Sequence, residues 1–158
     1  MGPRKLEIEV IMQKYLFTAL LALVLASSFG QSKKDSLAII NLLEKEAATW
    51  RAGDIKAHAE CWQIRPYSRI LISTTDARVI DLDPKIIVNP PANMTGNGGN
   101  AIISKLKMGI TGESAWVSHD EESITKDGIS TFSYEVRLLE KVKGEWKLVG
   151  QSVHQYKK

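Results

Sequence analysis

The chain of 158 residues has one cysteine and three histidines. A lone thiol, Cys61, cannot close an internal disulfide, so the domain has to hold together through its core. On an apolar helix face that thiol is expected to be buried. The net charge is only +3. Beyond residue 30 the basic residues are adjacent only at Lys33-Lys34 and Lys157-Lys158, so no nucleic-acid partner is expected. His-x-His and His-x-x-x-His spacings are absent, and with them the usual signal for a metal; no metal and no cofactor is expected. The glycine cluster Gly96-Asn97-Gly98-Gly99 lacks both the Lys-Ser/Thr of a phosphate loop and dinucleotide spacing, and reads as a plain turn. Asn93-Met94-Thr95 matches a glycosylation sequon, which matters only in a eukaryotic secretory route.

One apolar run stands apart from the rest. Lys14 precedes an uncharged Leu/Ala-rich segment over residues 15–26, followed by Ser27, Ser28 and Gly30. A basic start, an apolar stretch and small residues before a cut are the layout of a secretory signal peptide. Cleavage after Gly30 leaves Gln31 first and a single domain over residues 31–158, periplasmic or secreted. The run is shorter than the roughly 20 residues needed to cross a bilayer, so no stable membrane anchor is expected. Residues 1–11, with Arg4, Lys5, Glu7 and Glu9, are an odd preface to such a signal; Met12 would make a better start.

Within 31–158 the patterning changes from helical to alternating. Residues 35–50 place Leu37, Ile40, Leu43, Ala47 and Trp50 on one stripe, with Lys45 and Glu46 on the solvated side. Gly53 breaks this helix and Asp54 can cap a second over residues 55–62. Residues 69–74 and 76–81 and the short apolar run 86–88 read as one or two short strands, with a turn at 81–84, stopped by Pro90-Pro91. A third, short helix is expected over residues 100–108. Strands follow over residues 115–121, 131–140 and 146–156, the last two joined at Val142-Lys143-Gly144-Glu145 as a hairpin.

Two helices joined at Trp50-Arg51-Ala52-Gly53-Asp54, a β segment, the Gly-led Gly99-Asn100-Ala101-Ile102 and three long strands ending in Gly144-Glu145-Trp146-Lys147-Leu148-Val149 resemble the NTF2-like superfamily. The likeness is greatest to its small SnoaL-like and DUF4440-like bacterial members. That resemblance implies an α+β cone, a strongly curved, mainly antiparallel sheet packed against three helices around a cavity. It also implies a small apolar or amphipathic ligand and a homodimer through the outer sheet face. Some members are isomerases, dehydratases or cyclases; others bind or assist without catalysis, so fold alone leaves function open.

Strand parity selects the expected site. Phe132, Tyr134, Val136 and Leu138 are expected to face inward, and so is the series from Trp146 through His154 to Tyr156 unless a bulge intervenes. On residues 115–121, Trp116, Ser118 and Asp120 share one face, while Val117, His119 and Glu121 share the other. If Trp116 faces the core, Asp120 enters the cavity and His154 beside it would be an oriented base. Tyr134 could then donate to an oxyanion. The catalytic candidates are therefore His154, Asp120 and Tyr134. The ligand-contacting set is Trp62, Arg65, Trp116, Asp120, Tyr134 and His154. The run His119-Asp120-Glu121-Glu122 reads as a solvated acidic strand end. The readings carried forward are an exported ligand-binding or accessory domain, an enzyme acting through His154 and Asp120, and a protein-interaction domain using its outer sheet face.

Overall fold

A computed structural model describes residues 33–158. The expected signal peptide over residues 1–30 lies outside the described residues, as does Gln31. Among the described residues, no helix is long and apolar enough to cross a membrane.

Helix α1 covers residues 33–52. Its buried positions in this stretch include Ile39, Leu43 and Glu46, at the spacings of four and three that return to one helix face, and Arg51 further round. The stripe is rotated from the expected one. Leu37 is 60% exposed, and Glu46 faces inward rather than toward solvent. Gly53 ends α1 with φ 72, a left-handed value that suits glycine. Asp54 then caps α2 (Ile55–Ala59) by accepting the Ala57 N–H at 3.0 Å. Cys61 is buried, and burial pushes its thiol pKa up to about 11.

Two short strands follow, β1 (Ile70–Ser73) and β2 (Val79–Leu82). The β-branched run Ile86-Ile87-Val88 is helical, not a strand: it lies in α3 (Pro84–Val88). Asp83 accepts the Lys85 N–H at 2.9 Å and Pro84 supplies a preset φ at the first position. Cap and proline together outweigh the β preference of the side chains. A 3-10 turn spans Ala92–Met94.

Residues 100–108 are strand, not helix. They belong to β3 (Asn100–Thr111), which pairs with β4 (Ser114–Ile124). A bulge between Ser104 and Lys107, with Lys105 at φ 51, slips the alternation from Ala101/Ile103 to Leu106/Met108/Ile110. That slip spaces the inward residues unevenly and imitates helical periodicity. Gly99 admits the chain to the sheet: a Cβ there would lie 1.8 Å from the Ile124 carbonyl oxygen.

Strands β5 (Ser130–Val142) and β6 (Glu145–Tyr156) form a long hairpin, closed by Lys143 and Gly144, both at positive φ. The sheet runs β2-β1-β6-β5-β4-β3. β1 and β6 are parallel, and every other neighbouring pair is antiparallel. The class is α+β, with three α-helices among the described residues. The expected strongly curved cone is not what forms: the sheet is mixed and open, neither closed nor strongly curled, with β2 and β3 left as edges.

The face of β5 is reversed relative to expectation, the open choice on β4 falls against Trp116, and β6 keeps its expected face only up to a bulge. On β5, Ser133, Glu135, Arg137 and Leu139 are buried, while Tyr134, Val136 and Leu138 are exposed. On β4, Ala115, Val117, His119 and Glu121 are buried and Trp116 is 47% exposed. On β6 the register slips between Leu138 and Leu139, so that Leu139 faces Leu148 and Leu138 faces Gly150. Trp146 and Leu148 point inward before the slip; Gln151, Val153 and Gln155 stand opposite inward β5 residues after it, and His154 lies on the exposed face.

Candidate functional site

The inner sheet face has two chemically distinct ends. Ala115, Val117, Leu139, Trp146 and Leu148 join Ile39, Leu43, Cys61, Trp62 and Ile70 in an apolar core. Further along the same strands the inward residues become His119 and Glu121 on β4, and Arg137, Glu135 and Ser133 on β5. A cavity of about 290 Å³ opens at this polar end. Trp50, Ile72, Leu82, Ile87 and Val153 form its apolar wall, and Glu121, Glu135, Arg137 and Gln151 its polar floor.

Arg137 is the hub of the floor. It donates to Glu135 and to Gln151 Oε1, and its Nη1 lies 3.7 Å from Glu46 Oε1 on α1. Burial opposes its charge, but Glu135, Glu46 and Glu121 outweigh it and hold the guanidinium protonated. Ser133 Oγ donates to the other oxygen of Glu135 at 2.8 Å. Burial raises the Glu135 pKa, yet Arg137, His119 and Ser133 together hold the carboxyl below its ordinary range. Arg51 anchors the second acid: its Nη2 donates to Glu121 Oε1 at 3.1 Å and its Nη1 to the Ala47 carbonyl at 2.7 Å. Burial, then repulsion from Glu135, pushes Glu121 up, with both arginines acting against the shift. Burial also lowers the pKa of His119, whose Nε2 is 3.9 Å from Glu135 Oε2. Two carboxyl groups shifted in opposite directions thus lie beside an imidazole whose burial disfavours its charge.

The expected site residues lie elsewhere. Trp116, Asp120, Tyr134 and His154 do share a face, His154 by way of the β6 bulge, but it is the outer one. Tyr134 stands opposite both Asp120 on β4 and His154 on β6, leaving those two residues two strands apart, or roughly 10 Å. Asp120 is held by Lys105 Nζ at 2.7 Å, and His154 Nε2 meets Ser152 Oγ at 2.8 Å. Tyr134 stacks on Tyr156 at 4.4 Å. Trp62 is buried in the apolar core, and Arg65 pairs with Glu140 at 3.2 Å. None of the six lines the cavity.

The residues that do line its floor left two traces in the sequence. Ser133-x-Glu135-x-Arg137 and His119-x-Glu121 place polar groups at every second position of neighbouring strands, and Glu46 recurs on the stripe of Ile39 and Leu43. Polar residues repeated on one strand face opposite a helix carrying its own inward carboxylate indicate a buried ionic layer. The same two strands carry large apolar residues on the other face, and that stronger signal set the expected orientation.

Removing Arg137 strands Glu135 and Glu46 in the interior. Arg137→Met is expected to cost about 3–5 kcal/mol in urea unfolding. The cost should shrink by at least half when Glu135→Gln is already present. Equal costs in both backgrounds would show that the two charges do not interact.

No family model matches the chain, and neither does any curated protein. Solved structures do. An NTF2-like protein of unknown function from Shewanella baltica is 19% identical, with 79% of this chain and 96% of that one covered at a TM-score of 0.56. A candidate dehydratase of the NTF2-like family from Streptomyces avermitilis is 12% identical, with 78% and 97% covered at a TM-score of 0.61. A protein of unknown function with a cystatin-like fold from Nostoc punctiforme is 10% identical, with 77% and 90% covered at a TM-score of 0.58. At such identities the likeness speaks for fold and not for activity. Element order, sheet topology and these alignments agree that the chain has the NTF2-like fold.

Proposed function

We propose that the chain is an exported binding or accessory domain that holds a small amphipathic molecule in the cavity between α1 and the inner sheet face. The observation that carries this reading is the division of the cavity lining. Trp50, Ile72, Leu82, Ile87 and Val153 would receive an apolar body, while Arg137, Gln151 and Glu121 would orient a polar end. A volume of about 290 Å³ suits a small ligand. The finer assignment to the SnoaL-like or DUF4440-like type goes with this reading and is supported by the order of elements.

A second reading concerns the outer face. Trp116, Tyr134, Val136 and Leu138 are exposed on adjacent strands, with Trp116 opposite Leu138, and Ile102 is exposed on β3. Monomeric soluble proteins rarely leave an apolar patch of this extent uncovered. A second copy of the chain, laid sheet to sheet, would cover it.

The cavity reading is checked with prodan, a neutral amphipathic fluorophore. Saturable binding of one equivalent is expected, weakened at least tenfold by Val153→Trp, which fills the cavity, and unchanged by Trp116→Ser. Binding that survives the first variant and is lost in the second would move the ligand to the outer face and refute the proposal. For the second reading, light scattering after gel filtration should give a dimer that Leu138→Lys converts to a monomer. A monomeric wild-type chain at tens of micromolar would rule it out. Export is supported by the layout of residues 14–30 and is checked by mass spectrometry of the mature product, expected to begin near Gln31. Recovery of intact residues 14–26 in a soluble cytosolic product would contradict it.

A further inference from the structure

The floor of the cavity has coordinating capacity that its internal hydrogen bonds do not use. His119 and Glu135 stand directly opposite each other on β4 and β5, and Glu121 is two residues along on the same face as His119. One ligand atom from each of the three lies within 4.8 Å of the others, and all three residues are buried. His119 is 4% exposed, and neither ring nitrogen makes a well-formed hydrogen bond, although the backbone of Asp120 bears on the imidazole. A buried imidazole in that state is costly and calls for an explanation. Its Nε2 is 3.9 Å from Glu135 Oε2. This is too long for a hydrogen bond but within the ~4.2 Å that two donors each ~2.1 Å from one metal can span, and a closure of about half an ångström would bring it to tetrahedral spacing.

The charges lean the same way. Apart from the imidazoles, the buried layer sets the carboxylates of Glu46, Glu121 and Glu135 against the guanidinium groups of Arg51 and Arg137. Counted as formal charges, one negative is left over, and Glu121 and Glu135 lie diagonally across the β4–β5 pair on one face. A cation between them would be attracted to both. The arginines do not preclude it. Each approaches a carboxylate as a hydrogen-bond donor, and a carboxylate has about four lone-pair sites. Arg51 on Glu121 and Arg137 on Glu135 then serve as outer partners that fix the ligand carboxylates in orientation.

We propose that His119, Glu121 and Glu135 form a binding site for a divalent first-row transition cation of the zinc class, with its open coordination positions turned toward the cavity. One imidazole and two carboxylates make a borderline-hard donor set that suits Zn²⁺, Co²⁺ or Mn²⁺ over a thiophilic ion. Three protein ligands leave at least one position for water or for an oxygen of a bound molecule. Glu121 and Glu135 both line the cavity, so such an oxygen would arrive from there. The site stands on its own geometry and does not require that the cavity hold an organic ligand.

The test uses the full-length, untagged chain after chelator treatment and dialysis. Calorimetric titration with Zn²⁺ should show one saturable equivalent, and Co²⁺ should give visible ligand-field absorption. His119→Gln should weaken Zn²⁺ binding at least tenfold, whereas His154→Ala on the outer face should leave it unchanged. X-ray absorption at the zinc edge of the wild-type complex, which needs no variant, should report one imidazole with oxygen neighbours. Absence of saturable uptake by the wild-type chain overturns the proposal. So do a sulfur ligand, two or more imidazoles, or a folded His119→Gln variant that binds as tightly as wild type.

Discussion

The structure depends on the neutralisation of Arg137 in its interior. A guanidinium removed from water is tolerated only when its charge is balanced and its donors are engaged. Glu135 and Gln151 supply this from the sheet, and Glu46 supplies it from α1. The one side chain therefore ties β5 to β6 and to the helix above them. Arg51 makes the reciprocal link, reaching from α1 to Glu121 on β4. A layer of this kind adds little net stability compared with an apolar core of equal volume. It does make the register between α1 and the sheet specific, because a shift of one residue would leave several charges uncompensated.

The same layer explains why a cavity opens where it does. Apolar side chains close-pack at the Trp146 end of the sheet, around Leu139, Leu148 and Ile39. At the other end, ionic groups have directional partners and cannot collapse onto one another in the same way. The space left over is walled by Trp50, Ile72 and Val153 and floored by charge. Low dielectric there strengthens every electrostatic contact, which is why neighbouring groups of one kind separate: Glu121 is pushed up while Glu135 is held down. A cavity with one apolar side and one charged side fits an amphipathic occupant, and His119, grouped with the lining residues Glu121 and Glu135, carries ring nitrogens without a well-formed hydrogen bond.

With the charges inside, the apolar residues of the same strands are displaced outward. Alternation forces the exchange: if Glu135 and Arg137 face in, then Tyr134, Val136 and Leu138 face out. Cavity and outer patch are thus two consequences of one register. A change that flipped the strands would exchange both, burying Tyr134 and Leu138 and exposing the ionic layer.

Local signals in the chain determined much of this. Gly53 with Asp54 sets the break between α1 and α2, and Lys143-Gly144 sets the β5–β6 hairpin. These rest on backbone preferences of a few adjacent residues. The alternation of the long strands, and the sharing of one face by Trp116 and Asp120 on β4, were legible for the same reason. What alternation cannot say is which face is inside. Both faces of β5 are self-consistent, and the choice fell to Glu46 and Arg51, distant in sequence, which bring the countercharges. Two bulges then changed phase where no local residue marks it. One, at Ser104–Lys107, made β3 look helical; the other, at Leu138–Leu139, sent His154 outward. In α3 a cap and a proline overrode β-branched side chains. The sequence by itself determined where β4, β5, β6 and the β5–β6 turn lie, since those depend on neighbours along the chain. Only the tertiary structure decided the inward face and the openness of the sheet, and so the site, because these depend on pairing charges and backbones across the fold.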